Sequence, residues 1–574
     1  MAKRVDCGSG VKLERGLVCT LSDGVRLVSD HYYPDTGRFG SGPWPTLLMR
    51  QPYGRDIAST VVYAHPAWFA AQGYHVVIQD VRGRGGSEGD FYPFRHEGRD
   101  GAETIAWLMR HPACNGRIGM YGFSYQGVTQ LLAAAENPAG LECIAPHMAA
   151  ADLYHGWFYH HGALRLASTL GWGLQMLRED ARRRQRREAS EILEGAWLDV
   201  RRQPQFAPYR SHPALGDPAL PTYLSDWMEH REWDDYWRAL DISDRYEAIG
   251  VPAFHIAGWY DTYLNGTMLG YQALRRRAGT AFAREHQYLL AGPWIHIPWG
   301  DRAGDARWGD AANLDTNALL LRWFDHWMRD GGGFRDEPRV RHYVLGADEW
   351  RAADDLPDGT NCALYLHSNG SANSRKGDGV LSAAASAGEE PRDFFVYDPE
   401  VPVLAPGGAL ALSGPADQSA MELGNNLLYF VTPPVARGVT IFGQPSVVLY
   451  AQTSATHADL TAKLARVLPS GRAEFLTIGI ARSSFLFADS GYRADEVNRW
   501  EFSLEMTSFS LEAGDRLALE IAGSAFPLYD RNPSNATPPQ LADVWRWERS
   551  THQILHTDKY PSALLLPVEG AMPW

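Results

Sequence analysis

The sequence has no uninterrupted apolar run approaching the ~20 residues needed to cross a bilayer, and no apolar stretch of seven or more follows the basic pair Lys3-Arg4. Neither a membrane span nor a cleaved secretory leader is expected. Cysteine is scarce: Cys7, Cys19, Cys114, Cys143 and Cys362 are scattered and odd in number. That distribution excludes a disulfide framework and thiolate metal spacing, so no metal or cofactor is expected and the expected compartment is the reducing cytoplasm. Positive charge is also in deficit, with 54 Lys and Arg against 68 Asp and Glu and a formal charge of −14. Nucleic acid and anionic membranes would be repelled by that field. The local exception is the run Arg178, Arg182, Arg183, Arg184, Arg186 and Arg187. It is interspersed with Glu179, Asp180, Glu188 and Glu191 and reads as a solvated helix face.

What is present is enough apolar material for large cores. The chain has 574 residues, 45% of them hydrophobic, and 20 tryptophans, which implies two to four domains. Residues 25–28, 46–49, 75–78 and 118–121 read as strands, with helices over 102–109 and 125–135. Such alternation predicts an α/β fold with a mostly parallel sheet covered on both faces. The strand signal lapses over 151–245, where Arg, Glu, Leu and Trp predict a helical insertion that caps the sheet. It returns at 252–257 and 287–291, followed by a helix over 316–328. Beyond the glycine run at 331–333, short strands at 428–430, 446–450 and 517–521 predict a β-sandwich or jelly roll. The expected division is therefore a catalytic unit at 1–150 and 246–334, a cap at 151–245 and a β-domain at 335–574. No internal repeat interrupts it.

The chemistry-bearing motif is Gly122-Phe123-Ser124-Tyr125-Gln126-Gly127. A serine between a strand and a helix, flanked by glycines, exposes its hydroxyl on a sharp turn with the helix N-terminus beneath it. The commonest elbow carries its second glycine two places after the serine, and here that place is Gln126. A serine hydroxyl needs a base, and the base needs a carboxylate to fix its tautomer. In α/β-hydrolase order these follow as Asp and then His after later strands. Two strand ends supply them: Gly258-Trp259-Tyr260-Asp261 and Gly292-Pro293-Trp294-Ile295-His296. For the oxyanion, the Tyr125 N–H is one donor; the loop 50–55 lacks a Gly-rich hole sequence, which leaves a side-chain donor such as the Tyr53 hydroxyl for the other. The remaining histidines, His160 and His161 among them, read as cap or packing residues.

These segments resemble the cocaine-esterase-like serine hydrolases, which are related to the α-amino acid ester hydrolases and the X-prolyl dipeptidyl peptidases. The resemblance rests on the elbow, on Gln79-Asp80-Val81-Arg82-Gly83 with Ser87-Glu88-Gly89, and on the Asp261 and His296 loops. It continues through Tyr397-Asp398-Pro399, Asp417-Gln418, residues 460–464 and Tyr529-Asp530-Arg531-Asn532. It implies an α/β-hydrolase domain with a helical cap and a C-terminal galactose-binding-like jelly roll. It further implies Ser124 as nucleophile, His296 as base, Asp261 as its orienter, an oxyanion hole from Tyr53 and Tyr125, and a homodimer.

The amino acid ester hydrolases carry acidic residues two and three places after the catalytic Asp, and Tyr263 and Leu264 stand there in this chain. An ammonium left there would be unpaired, so α-amino acyl substrates are disfavoured. Tyr263 with Trp157, Phe158 and Trp172 instead predicts an apolar or aryl acyl pocket. The expected activity is hydrolysis of small-molecule carboxylic esters. The alternatives are an amide-cleaving acylase or X-prolyl-type peptidase, and a carbohydrate-binding protein with an inert hydrolase domain.

Overall fold

The computed structural model describes residues 4–6, 10–57, 61–329, 331, 333–407 and 414–570. Its first sheet has eleven strands. The order across it is Arg4–Asp6, Lys12–Thr20, Arg26–Tyr33, His75–Asp80, Trp44–Gln51, Cys114–Phe123, Leu141–His147, Ala253–Gly258, Gln287–Gly292, Val340–Val344 and Glu349–Ala353. From His75–Asp80 to Val340–Val344 the pairs are parallel; both edges are antiparallel. Trp44–Gln51 and His75–Asp80 are buried along their whole length, as parallel strands covered on both faces must be.

Alternation along those strands sorts two cores. Leu47 and Met49 face Trp323 and Phe324 of the helix Thr316–Met328, whereas Leu48 and Val77 face Leu108 and Leu131 on the other side. The inserted segment adds to the second core. Its long helices Leu166–Arg183 and Arg187–Leu198 are separated at the arginine run, and Leu170, Leu174 and Leu193 join Leu131 in one apolar cluster. The arginines meet carboxylates, including Arg182 with Glu179, Arg184 with Asp90 and Arg186 with Asp217, as a solvated face requires. His160 and His161 do pack: their Nδ1 atoms lie 2.7 Å from the Tyr529 hydroxyl and 2.9 Å from the Ile480 carbonyl oxygen.

The C-terminal region is β-rich, with a second eleven-stranded sheet and a three-stranded one, as the jelly-roll expectation requires. Strand pairing crosses one expected boundary. Val340–Val344 pairs with Gln287–Gly292, so the hydrolase sheet extends past residue 334 through Ala353. We propose that the catalytic unit takes in both of those strands and that the β-domain begins after them.

Candidate active site

The strand Cys114–Phe123 ends in a turn whose centre, Ser124, has φ 60° and ψ −132°, and the helix Tyr125–Ala134 starts immediately after. A non-glycine residue at positive φ is strained and persists only where its surroundings hold it. The flanking glycines supply the room. Gly122 has φ 141°, and a Cβ on it would stand 2.4 Å from Gln126 Cβ; one on Gly127 would stand 2.5 Å from Ala149 Cβ. The Ser124 N–H donates to the His147 carbonyl at 2.9 Å, tying the turn to the next strand.

Gln126, the residue that breaks the commonest elbow pattern, bridges two loops. Its Oε1 accepts from the Phe123 N–H at 3.3 Å and its Nε2 donates to Gln51 Oε1 at 3.0 Å. Gln51 in turn donates to the Gly54 carbonyl at 3.0 Å, bracing the loop that carries Tyr53. The Tyr53 hydroxyl sits beside the Ser124 side chain and the Trp172 indole. Burial pushes its pKa up to about 12, with the contacts to Trp172 and Ser124 working the other way. It therefore stays protonated at neutral pH as a hydrogen-bond donor. The Tyr125 N–H is the first amide of the helix, one of those a helix leaves without an intrahelical acceptor. Its side chain turns away: the phenol donates to Glu97 Oε1 at 2.8 Å and accepts from the Phe94 N–H at 3.1 Å.

Asp261 and His296 follow neighbouring parallel strands and meet directly, His296 Nδ1 lying 2.7 Å from Asp261 Oδ1. Two glycines permit the approach. A Cβ on Gly258 would stand 2.3 Å from the Trp294 carbonyl oxygen, and one on Gly292 would stand 2.5 Å from the Trp294 ring. Asp261 is fully buried, and a carboxylate so placed makes Nδ1 the donor and leaves Nε2 with the lone pair. The His296 ring centroid lies 5.1 Å from Tyr263 and 5.2 Å from Phe123, the residue before Ser124. Ser124 Oγ makes no hydrogen bond to His296 among the described residues. Nucleophile–base contacts are commonly long before substrate enters and shorten in the reacting complex.

The aromatic residues read as a pocket do gather near these groups. Trp157 stacks on Tyr263 at 3.7 Å, Trp172 lies 5.7 Å from Trp157, and Phe158 stands further back, 4.5 Å from Trp227. The site is closed in: Ser124 is 6% and His296 9% exposed. Cavities of about 270 Å³ by Tyr260 and Arg466 and 380 Å³ by Arg186 and Pro213 are lined by neither residue.

Two features were not read from the sequence. Phe94, at φ 69°, stacks on Tyr125 at 4.9 Å and lies 5.5 Å from Trp157, in a loop with no periodic signal. The other is a buried ion pair, Arg165 Nη2 to Glu505 Oε1 at 2.5 Å, which joins the insertion to the β-domain and whose two members both feel the Asp261 charge.

Two family models together span most of the chain. The X-Pro dipeptidyl-peptidase (S15 family) matches residues 23–298, and the X-Pro dipeptidyl-peptidase C-terminal non-catalytic domain matches residues 332–565. Cocaine esterase from a Rhodococcus species is 33% identical, covering 96% of this chain and 97% of its own. An aminopeptidase from a marine sediment Thaumarchaeota archaeon superposes with a TM-score of 0.80 at 23% identity, over 99% of this chain and 97% of that one. An α-amino acid ester hydrolase does so with a TM-score of 0.79 at 23% identity, over 98% of both chains. These two structures speak to the fold alone. Sequence, fold and the paired strand-end loops converge: the chain belongs to the S15-type, cocaine-esterase-like hydrolase family.

Proposed function

We propose that this protein is a serine carboxylic-ester hydrolase that works through an acyl-enzyme on Ser124 and takes an apolar or aryl acyl group. The observation that carries the reading is the 2.7 Å contact between His296 and the buried Asp261, in loops at the same end of the sheet as the strained Ser124 turn. Ser124 Oγ attacks the ester carbonyl carbon while His296 Nε2 takes its proton, and the Asp261 charge stabilises the imidazolium. The tetrahedral oxyanion accepts hydrogen bonds from the Tyr53 hydroxyl and the Tyr125 N–H, each worth roughly 3–4 kcal/mol of barrier. Collapse passes the Nε2 proton to the departing alkoxide, and water repeats the sequence to release the acid.

The family description supports a second reading, cleavage of an amide by the same groups. Tyr263 and Leu264 weigh against an N-terminal amine as the recognised group, since both are buried and neither carries a charge to pair with an ammonium. Matched aryl ester and anilide substrates separate the two: the ester is expected to have the higher kcat/KM, and a faster anilide would reverse the assignment.

A cytoplasmic location agrees with four free, buried cysteines, Cys19, Cys114, Cys143 and Cys362; Cys7 lies outside the described residues. No helix among the described residues is long and apolar enough to cross a membrane. A homodimer is the proposed assembly, supported by family likeness and tested by light scattering.

A further inference from the structure

Three histidines converge at the other end of the first sheet. His31 lies on Arg26–Tyr33, His75 opens His75–Asp80, and His111 comes from the turn between the helix Glu97–Leu108 and Cys114–Phe123. His75 begins a parallel strand, whereas Ser124 follows the end of one, so the proposed hydrolytic reaction does not touch this cluster. One ring nitrogen from each lies within 4.8 Å of the other two. His31 Nδ1 and His75 Nε2 are 2.9 Å apart, and the His111 ring centroid is 5.2 Å from His31 and 5.3 Å from His75.

Burial holds all three rings toward the neutral form. The His75 pKa falls to about 3, that of His31 lies well below its usual value, and that of His111 is lowered too. Neutral imidazole is the form that binds metals. Two of the outward nitrogens already have the partners that orient ligating imidazoles: His31 Nε2 lies 2.9 Å from Ser29 Oγ, and His75 Nδ1 lies 3.1 Å from Thr46 Oγ1. Tyr33 stacks on His75 at 5.0 Å and Trp107 meets His31 edge-on at 5.6 Å, walling the cluster. His111 is half-buried and provides the entrance. The Glu14 carboxylate, which accepts from the Tyr33 hydroxyl at 3.1 Å, is the charge acting on His111.

We propose that His31, His75 and His111 form a binding site for a divalent transition-metal ion that favours imidazole, Zn²⁺ or its first-row neighbours, with a structural role. Three nitrogen donors without a thiolate or a carboxylate cage select this class over Ca²⁺ and Mg²⁺. Tetrahedral zinc at about 2.1 Å from nitrogen sets its donors about 3.4 Å apart. His31 and His75 therefore separate by a few tenths of an ångström and His111 closes in. The proton shared between His31 Nδ1 and His75 Nε2 moves to the outer nitrogen facing Ser29 or Thr46. Both inner lone pairs are then free and the proton count is unchanged.

The test uses the full chain stripped with a chelator and titrated with Zn²⁺ and with Co²⁺, whose visible spectrum reports tetrahedral nitrogen ligation. The parent is expected to take up one equivalent, develop the cobalt bands and melt at a higher temperature. His111→Gln alters the most accessible of the three and should weaken binding by at least about tenfold while ester hydrolysis is unchanged. Thr46→Val, which keeps all three ligands, should weaken it less. Uptake by the parent that is absent, or that is equal in parent and His111→Gln, overturns the site.

Discussion

His296 and His556 each lie against a buried aspartate, at 2.7 Å from Asp261 and 2.9 Å from Asp393, yet the second ring nitrogens meet different surroundings. His556 Nε2 contacts Asp393, and its Nδ1 lies 2.9 Å from Glu390 Oε2. Ser368 is there as well, but its hydroxyl donates to Asp393 Oδ2. Burial works against a charged His556, yet the hydrogen bonds and charges of Asp393 and Glu390 outweigh it and raise the pKa. The β-domain thus contains serine, histidine and aspartate in mutual contact, with both imidazole nitrogens facing carboxylates and a serine proton already committed. Around His296 one carboxylate takes Nδ1, and among the described residues nothing acidic takes Nε2. The arrangement of partners, rather than the inventory of residue types, separates the proposed base from an ion pair.

The sharpest way to break this contrast is to remove each serine. Ser124→Ala is expected to lower kcat for an aryl ester by about 10⁶, as loss of a triad serine does elsewhere, whereas Ser368→Ala should leave kcat unchanged. Equal losses would show that the two clusters are not different in kind. Next in size is Tyr53→Phe, which removes one proposed oxyanion donor and should reduce kcat by roughly 10²–10³ with an unchanged far-ultraviolet spectrum. An unaltered kcat would remove Tyr53 from the site.

The smallest effect concerns stability. Because the folded-state pKa of His556 is raised above 6.5, its contribution is fully present below about pH 6.5 and is lost as pH rises through the raised value. Thermal unfolding across that range should show a decline in the parent that flattens in His556→Gln, with kcat/KM on an ester unaffected at either end. A parallel decline in both proteins would assign the pH dependence to other groups.

The loops of the proposed site were legible because each lies where a strand stops: Gly122, Gly258 and Gly292 mark close approaches that a Cβ would block, and the polar residue follows within a few positions. The helix over 316–328 was legible from its apolar spacing. Other features had no local signature. The pairing of strands beyond residue 334 with the first sheet was hidden by the glycine run at 331–333, of which 332 lies outside the described residues; that run reads as a boundary although pairing continues past it. The histidine cluster draws on positions 31, 75 and 111, which only the crossing order of the sheet brings together. Gln126 looked like a defect in the elbow because its partner, Gln51, is far away in the chain.

The loop that carries Asp261 has its other side in the β-domain. The Tyr260 hydroxyl donates to the Phe475 carbonyl at 3.3 Å, and the Trp259 and Tyr260 rings share a core with Leu449 and Ile480. A region with no reacting atom of its own therefore serves as the seat on which the carboxylate rests. A chain cut short after the hydrolase sheet would keep every residue of the proposed chemistry and lose the surface that aims it.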